Sequence, residues 1–144
     1  MYKVHVNPNG QEGGLVHEEA TVHPEAWVFR YSYVHKGAWV GKDAVLHFYS
    51  EVEEYAILED GVILCENVHI GKACIIGKDA SVGAHSYLMA KVCLGERVRV
   101  GSNCILMEGV TVNQLANLGD RVAMYDNTAV EVEAMIPPLS VIKL

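Results

Sequence analysis

Seven histidines, eighteen acidic residues and seven tyrosines supply this 144-residue chain with groups able to move protons or grip a ligand. Two of the histidines are distinguished by what recurs at multiples of 18 from them. His69 falls in a series with Tyr33, Glu51, Tyr87 and Ile105, and His85 in one with Tyr31, Tyr49, Asn67, Asn103 and Arg121. A carboxylate beside an imidazole orients it as a general base, so His85, His69 and Glu51 are the candidate catalytic residues. Asn67, Tyr87, Asn103 and Arg121 are the candidate ligand contacts, next to an apolar band of Tyr87, Met89, Ile105, Met107 and Tyr125. The competing expectation is a polar ladder that only satisfies loop backbone, beside an apolar subunit interface.

The other five histidines, His5, His17, His23, His35 and His47, each follow an aliphatic residue directly. They are expected at outward sites near corners, exposed or bonded to backbone, with His5 under His23, His17 under His35 and His47 on a third face. The alternative for these stacks is a metal or anion site where neighbouring subunits meet. No resident metal is expected.

These placements rest on the elements that must carry them. From Val16 to Ile142 every sixth residue is Val, Leu, Ile or Met, without a break, and two residues before each from Val22 onward stands a small or β-branched residue such as Ala20, Ser50, Cys74 or Val98. Neither a helical period of 3.6 nor simple alternation produces that double ladder. Residues two apart on a strand face the same side, so each hexad is one short strand plus a corner. Three hexads close a triangular coil of 18 residues, and coils stacked about 4.8 Å apart form parallel ladders around an aliphatic centre. About seven coils would give a prism roughly 35 Å tall.

This pattern resembles the hexapeptide-repeat superfamily. Val40-Gly41, Ile70-Gly71, Ile76-Gly77, Val82-Gly83, Leu94-Gly95, Val100-Gly101 and Leu118-Gly119 match its first two positions. The resemblance implies an all-β, single-domain left-handed parallel β-helix over residues 1–144. Residues 1–15 are expected to cap and lead into it, residues 16–142 to form the hexad repeats, and an end strand to follow Pro137-Pro138. It also implies a parallel homotrimer, and Trp27, Phe29, Trp39, Val45, Ile57, Ile63, Ile75 and Met135 would give the outer faces the apolar surface that assembly needs. The stretch Gly13-Gly14-Leu15-Val16, running into Ala26-Trp27-Val28, is similar to the opening of phage and prophage hexapeptide-repeat proteins.

Several chemistries are associated with that superfamily. The gamma-class carbonic anhydrases bind zinc through histidines two of which are five apart. Here Ala84 and Met89 occupy those positions, and no two histidines have that spacing. The acyltransferases use a histidine as base and hold the acyl carrier between two neighbouring β-helices. Val100-Gly101-Ser102-Asn103-Cys104-Ile105 resembles a stretch of their sugar-nucleotide branch, with Glu96 where the histidine would stand. His23-Pro24-Glu25-Ala26 resembles the His-Pro-x-Ala opening of many such enzymes, a motif that does no chemistry.

Composition narrows the partners. A net charge of −7 and no Lys/Arg cluster exclude a phosphate-neutralising surface, so no nucleic acid is expected. No long apolar run or cationic leader appears, so no membrane partner is expected and the cytoplasm is the expected location. Cys65, Cys74, Cys93 and Cys104 lack metal or redox spacing and are expected to be isolated thiols.

The leading expectation is therefore a non-catalytic homotrimer, needing no cofactor, that binds a small ligand or partner in its inter-subunit clefts or acts as a scaffold. It rests on the lack of a covering loop, of a zinc triad and of a histidine at position 96. The alternative is an acyl-CoA-dependent O- or N-acyltransferase with His85 or His69 as base and pantetheine along Gly77, Gly83, Gly95 and Gly101. A metalloenzyme resembling the gamma-class carbonic anhydrases comes third.

Overall fold

A computed structural model describes all 144 residues. It contains β1 (Tyr2–Val6), β2 (Glu12–His17) and then two-residue strands beginning every six residues from β3 (Thr21–Val22) to β23 (Val141–Ile142), with no helix. They assemble into a nine-stranded sheet, β1-β2-β5-β8-β11-β14-β17-β20-β23, and two seven-stranded sheets that contain the remaining strands. Apart from β1, all pairing is parallel, each residue lying over the one 18 positions earlier, as in Glu51↔His69↔Tyr87. The expected coil is therefore present.

Within each short strand the first side chain points out and the second points in. Ile63 is 41% exposed while Leu64 is fully buried. The two inward ladders merge into a core of 33 residues running from Val16 to Val130. Small polar residues on the inner ladder are accommodated by a repeated bond. Ser32, Ser50, Cys74, Ser86 and Cys104 each donate to the carbonyl fifteen residues ahead, as in Ser32 Oγ to His47 at 2.7 Å and Ser86 Oγ to Gly101 at 2.7 Å. No buried side-chain nitrogen or oxygen is left without a partner, so the polar groups escape the desolvation cost of an unmade bond.

The corners follow a rule that the glycine pattern does not reveal. Every sixth residue from Tyr31 to Leu139 has φ between +57° and +75°, and only Gly37, Gly61 and Gly109 among them are glycine. Left-handed backbone is costly for other residues, on the order of 1 kcal/mol each. From Tyr55 onward it is held at each corner by a bond between coils, such as His85 N–H to the Glu66 carbonyl at 3.0 Å. The glycines of the Val-Gly and Ile-Gly pairs instead mark close approach. A Cβ on Gly71 would lie 2.5 Å from the carbonyl carbon of Met89 in the next coil.

The N-terminal segment departs from the repeat. β1 pairs antiparallel with β2, Tyr2 opposite His17 and Val4 opposite Leu15. His5 consequently does not extend the His23 stack, because a reversed strand leaves the 18-residue column. Its Nε2 instead contacts the Ala26 carbonyl at 2.8 Å. Val4 and Val6 remain exposed, and it is Asn7 that joins the next coil. Its side-chain amide donates to the Val28 carbonyl at 3.1 Å and accepts from the Val28 N–H at 2.8 Å, like a strand partner. On the outer faces Trp27, Phe29, Val45 and Met107 are half-buried, Phe29 lying against His47 and Phe48. Trp39, Ile57, Ile63, Ile75, Tyr87, Met89, Ile105 and Met135 remain exposed.

Candidate functional site

Strands β5 (Tyr33–Val34), β8 (Glu51–Val52), β11 (His69–Ile70) and β14 (Tyr87–Leu88) stack in the nine-stranded sheet and project Tyr33, Glu51, His69 and Tyr87 in one outward column. The residues two further along, His35 and Glu53, form the adjoining column. Together they make the only cluster on the molecule in which imidazoles meet carboxylates from successive coils.

Glu51 lies at its centre. Its Oε2 is 2.7 Å from His35 Nε2, and its Oε1 is 3.5 Å from His69 Nδ1. Glu53 Oε2 lies 3.6 Å from His69 Nε2. The Tyr2 hydroxyl, brought over by the antiparallel β1, is 2.6 Å from His35 Nδ1. Tyr87 stacks on His69 with ring centroids 4.3 Å apart. The His35, His69 and Glu53 side chains are 20%, 22% and 24% exposed, shielded enough for these pairs to matter more than surface ones, and Glu51 is 40% exposed. A depression of about 370 Å³ opens beside them, walled by Glu53, His69, Gly71, Lys72, Tyr87 and Met89. A larger one, about 470 Å³, lies between β1 and the first coil, but its only histidine is His5, already engaged by backbone.

Of the residues singled out from the sequence, Glu51, His69 and Tyr87 are thus brought together. His85 stands on a corner at φ 64°, exposed and without a side-chain partner, in a column with the exposed Asn67, Asn103 and Arg121. His35 and Glu53 were missed as site residues. Their signal was available in the same arithmetic: Glu53 lies one coil above His35 and two residues from Glu51, so a diagonal reading of adjoining columns brings all three together. His17 and His23 behave as expected for idle corner histidines, each accepting at Nδ1 from the N–H two residues on, Glu19 at 2.9 Å and Glu25 at 3.0 Å.

Two further groups bear on chemistry. All four cysteines are unpaired, and Cys74 and Cys104 are buried. Burial pushes the Cys74 thiol up to about 11 and raises Cys104 as well, so neither supplies a thiolate nucleophile at neutral pH. Gly77 and Gly95 share one corner column, and Gly83 and Gly101 another. A Cβ on Gly77 would lie 2.7 Å from the Gly95 carbonyl carbon of the next coil, and one on Gly83 would lie 2.6 Å from that of Gly101. These glycines therefore let successive coils approach closely.

No protein-family model matches the chain, and no curated protein matches it in sequence. Solved structures do. The acetyltransferase domain of PglB from Neisseria gonorrhoeae, in complex with acetyl coenzyme A, superposes with a TM-score of 0.69 at 23% identity over 88% of this chain. A second structure of that domain aligns at 27% identity over 67% of the chain, TM-score 0.67. A histidine variant of GDP-perosamine N-acetyltransferase from Caulobacter crescentus, in complex with CoA and GDP-perosamine, matches 96% of the chain at 17% identity, TM-score 0.69. The UDP-N-acetylglucosamine O-acyltransferase LpxA of Moraxella catarrhalis matches 88% at 17% identity, TM-score 0.68. The chain spans about half the length of the first three, 52%, 47% and 53%, and 66% of the fourth.

The fold is the left-handed parallel β-helix of these structures. This overturns the leading expectation of a non-catalytic ligand-binding or scaffold protein: the four structures described above are of acyltransferases, two of them with acetyl-CoA or CoA bound. No helix is long and apolar enough to cross a membrane.

Proposed function

We propose that this protein is an acyltransferase that moves an acyl group from an acyl-CoA donor to a hydroxyl or amine. The observation that carries this is the likeness to the PglB acetyltransferase domain, 27% identical with a TM-score of 0.67. The His69 cluster supplies a matching general base. With Nδ1–H directed at Glu51, His69 presents the Nε2 lone pair to an acceptor in the adjoining depression. Nε2 takes the acceptor's proton as its oxygen or nitrogen attacks, and returns a proton to the departing sulfur. Glu51 fixes the tautomer and offsets the positive charge on the imidazolium, and Glu53, 3.6 Å from Nε2, accepts a hydrogen bond from a second donor group of the acceptor. Acyl-CoA supplies the thioester carbonyl.

Asn67, Asn103, Arg121 and Tyr87 are proposed acceptor contacts along the same edge. As in the acyltransferases that the repeat resembles, the donor is assigned to a groove shared with a second copy, along Gly77, Gly83, Gly95 and Gly101. The exposed Trp39, Ile57 and Ile75, one above another on a seven-stranded sheet, give a parallel homotrimer an apolar contact. The four unpaired thiols suit a reducing cytoplasm.

The test is release of free CoA from acetyl-CoA in the presence of amino-sugar and hydroxyl acceptors. Acceptor-dependent release that falls about 10²- to 10⁴-fold in His69→Ala, and stays near wild type in His85→Ala, is expected. Absence of both CoA binding by calorimetry and acceptor-dependent release would overturn the assignment. Loss confined to His85→Ala would move the base to the corner.

A further inference from the structure

We infer that His35, Glu51 and Glu53 form a binding site for a divalent first-row transition-metal ion. One ligand atom from each lies within 4.8 Å of the others. Metal bonds of about 2.0–2.2 Å set ligand atoms roughly 3.4 Å apart, within the span of this cluster. The donors come from two successive coils, with His35 just after β5 and the two carboxylates at and just after β8, so the parallel ladder fixes their backbones.

Charge points the same way. Glu51 and Glu53 face the outer surface side by side, and the ion pairs that either makes are to histidine, none to Lys or Arg. Lys72, on the rim of the depression, pairs with Glu54 instead. Two carboxylates without a fixed cation attract a mobile one, and the imidazole selects a transition metal over Mg²⁺ or Ca²⁺, which prefer all-oxygen shells.

Tyr2 provides an independent observation. A ligating histidine is usually held through its second nitrogen by an outer partner that fixes ring and tautomer. The Tyr2 hydroxyl stands 2.6 Å from His35 Nδ1, while Nε2 faces the carboxylates. With a metal on Nε2, Nδ1–H donates to the Tyr2 oxygen. The His35 ring is also stacked parallel to Tyr33, centroids 6.0 Å apart. The strand that breaks the repeat thus delivers the group that aligns the ligand. Three protein ligands leave a coordination position open for water or an acceptor oxygen, beside His69. The site shares Glu51 and Glu53 with the proposed acceptor site but needs no acyl-CoA, so it extends beyond that reading.

The experiment is titration of the metal-free full-length chain with Co²⁺, followed by visible absorption and by competition with Zn²⁺, without CoA. One saturable ion per chain is expected, displaced by Zn²⁺, lost in His35→Ala and in Glu53→Gln, and weakened about tenfold in Tyr2→Phe. Circular dichroism checks that each variant folds, and Glu53→Gln stands alone if His35→Ala does not. Absence of saturable binding, or binding unchanged in both ligand variants, overturns the site. Because this titration is separate from CoA release, failure of one leaves the other standing.

Discussion

The two halves of the nine-stranded sheet share a backbone and differ in everything they present. In the N-terminal half the outward column reads Tyr33, Glu51, His69, flanked by His35 and Glu53, and is tied together by ion pairs and stacked rings. In the C-terminal half it reads Tyr87, Ile105, Ala123, flanked by Met89, Met107 and Tyr125, with no ion pair. From β5 onward, strand length and register are the same in both. The inner ladders therefore specify the coil, and the outward positions are free to carry chemistry in one place and an apolar surface in another.

That separation can be broken from the inside. Ile70 and Leu106 lie fully buried behind the polar and apolar halves respectively. Truncating either to alanine should destabilise by about 2–5 kcal/mol, measured by chemical denaturation. Matching losses support one shared core, whereas a small loss at either position would mean that half is loosely packed. A milder probe is Tyr2→Phe, which deletes the bond to His35 and should cost about 1 kcal/mol or less. Tyr125→Phe, in the apolar half, should leave stability unchanged in the same measurement.

The cysteines sharpen the inner and outer distinction with the smallest effect. Cys65 and Cys93 should react with an alkylating reagent in the native state, and Cys74 and Cys104 only on unfolding. Burial raises the Cys74 thiol from 9.0 to about 11, so the folded state holds that proton more tightly than the unfolded one. Its contribution to stability is complete below pH 9 and fades as pH climbs through 11. Denaturation midpoints of wild type and Cys74→Ser at pH 8 and pH 11 would show the difference, and equal pH dependence would contradict it.

Much of the fold was legible because six-residue spacing leaves few solutions. Leu64 inside and Ile63 outside follow from position alone, as does Glu51 beneath His69. Three features were not legible, each for a physical reason. The left-handed corners at Ala73, His85 or Lys91 carry no glycine to mark them, since inter-coil bonds sustain that backbone. β1 contains too few residues to display a period, so its reversal, and with it the position of His5 and Tyr2, was invisible. His35 looked like its idle neighbours His17 and His23, because an imidazole's role depends on the acid one coil above it. His69 was placed correctly, yet the absence of familiar motifs suggested a scaffold.

The central claim is that Glu51 and His69 act as one unit across adjacent coils. A double-variant cycle on the rate of acyl transfer, with Glu51→Gln, His69→Ala and both together, tests it directly. The double variant should be no slower than His69→Ala alone, since a carboxylate that works through the imidazole has nothing left to orient. Rate losses that multiply would show two independent groups and contradict the account.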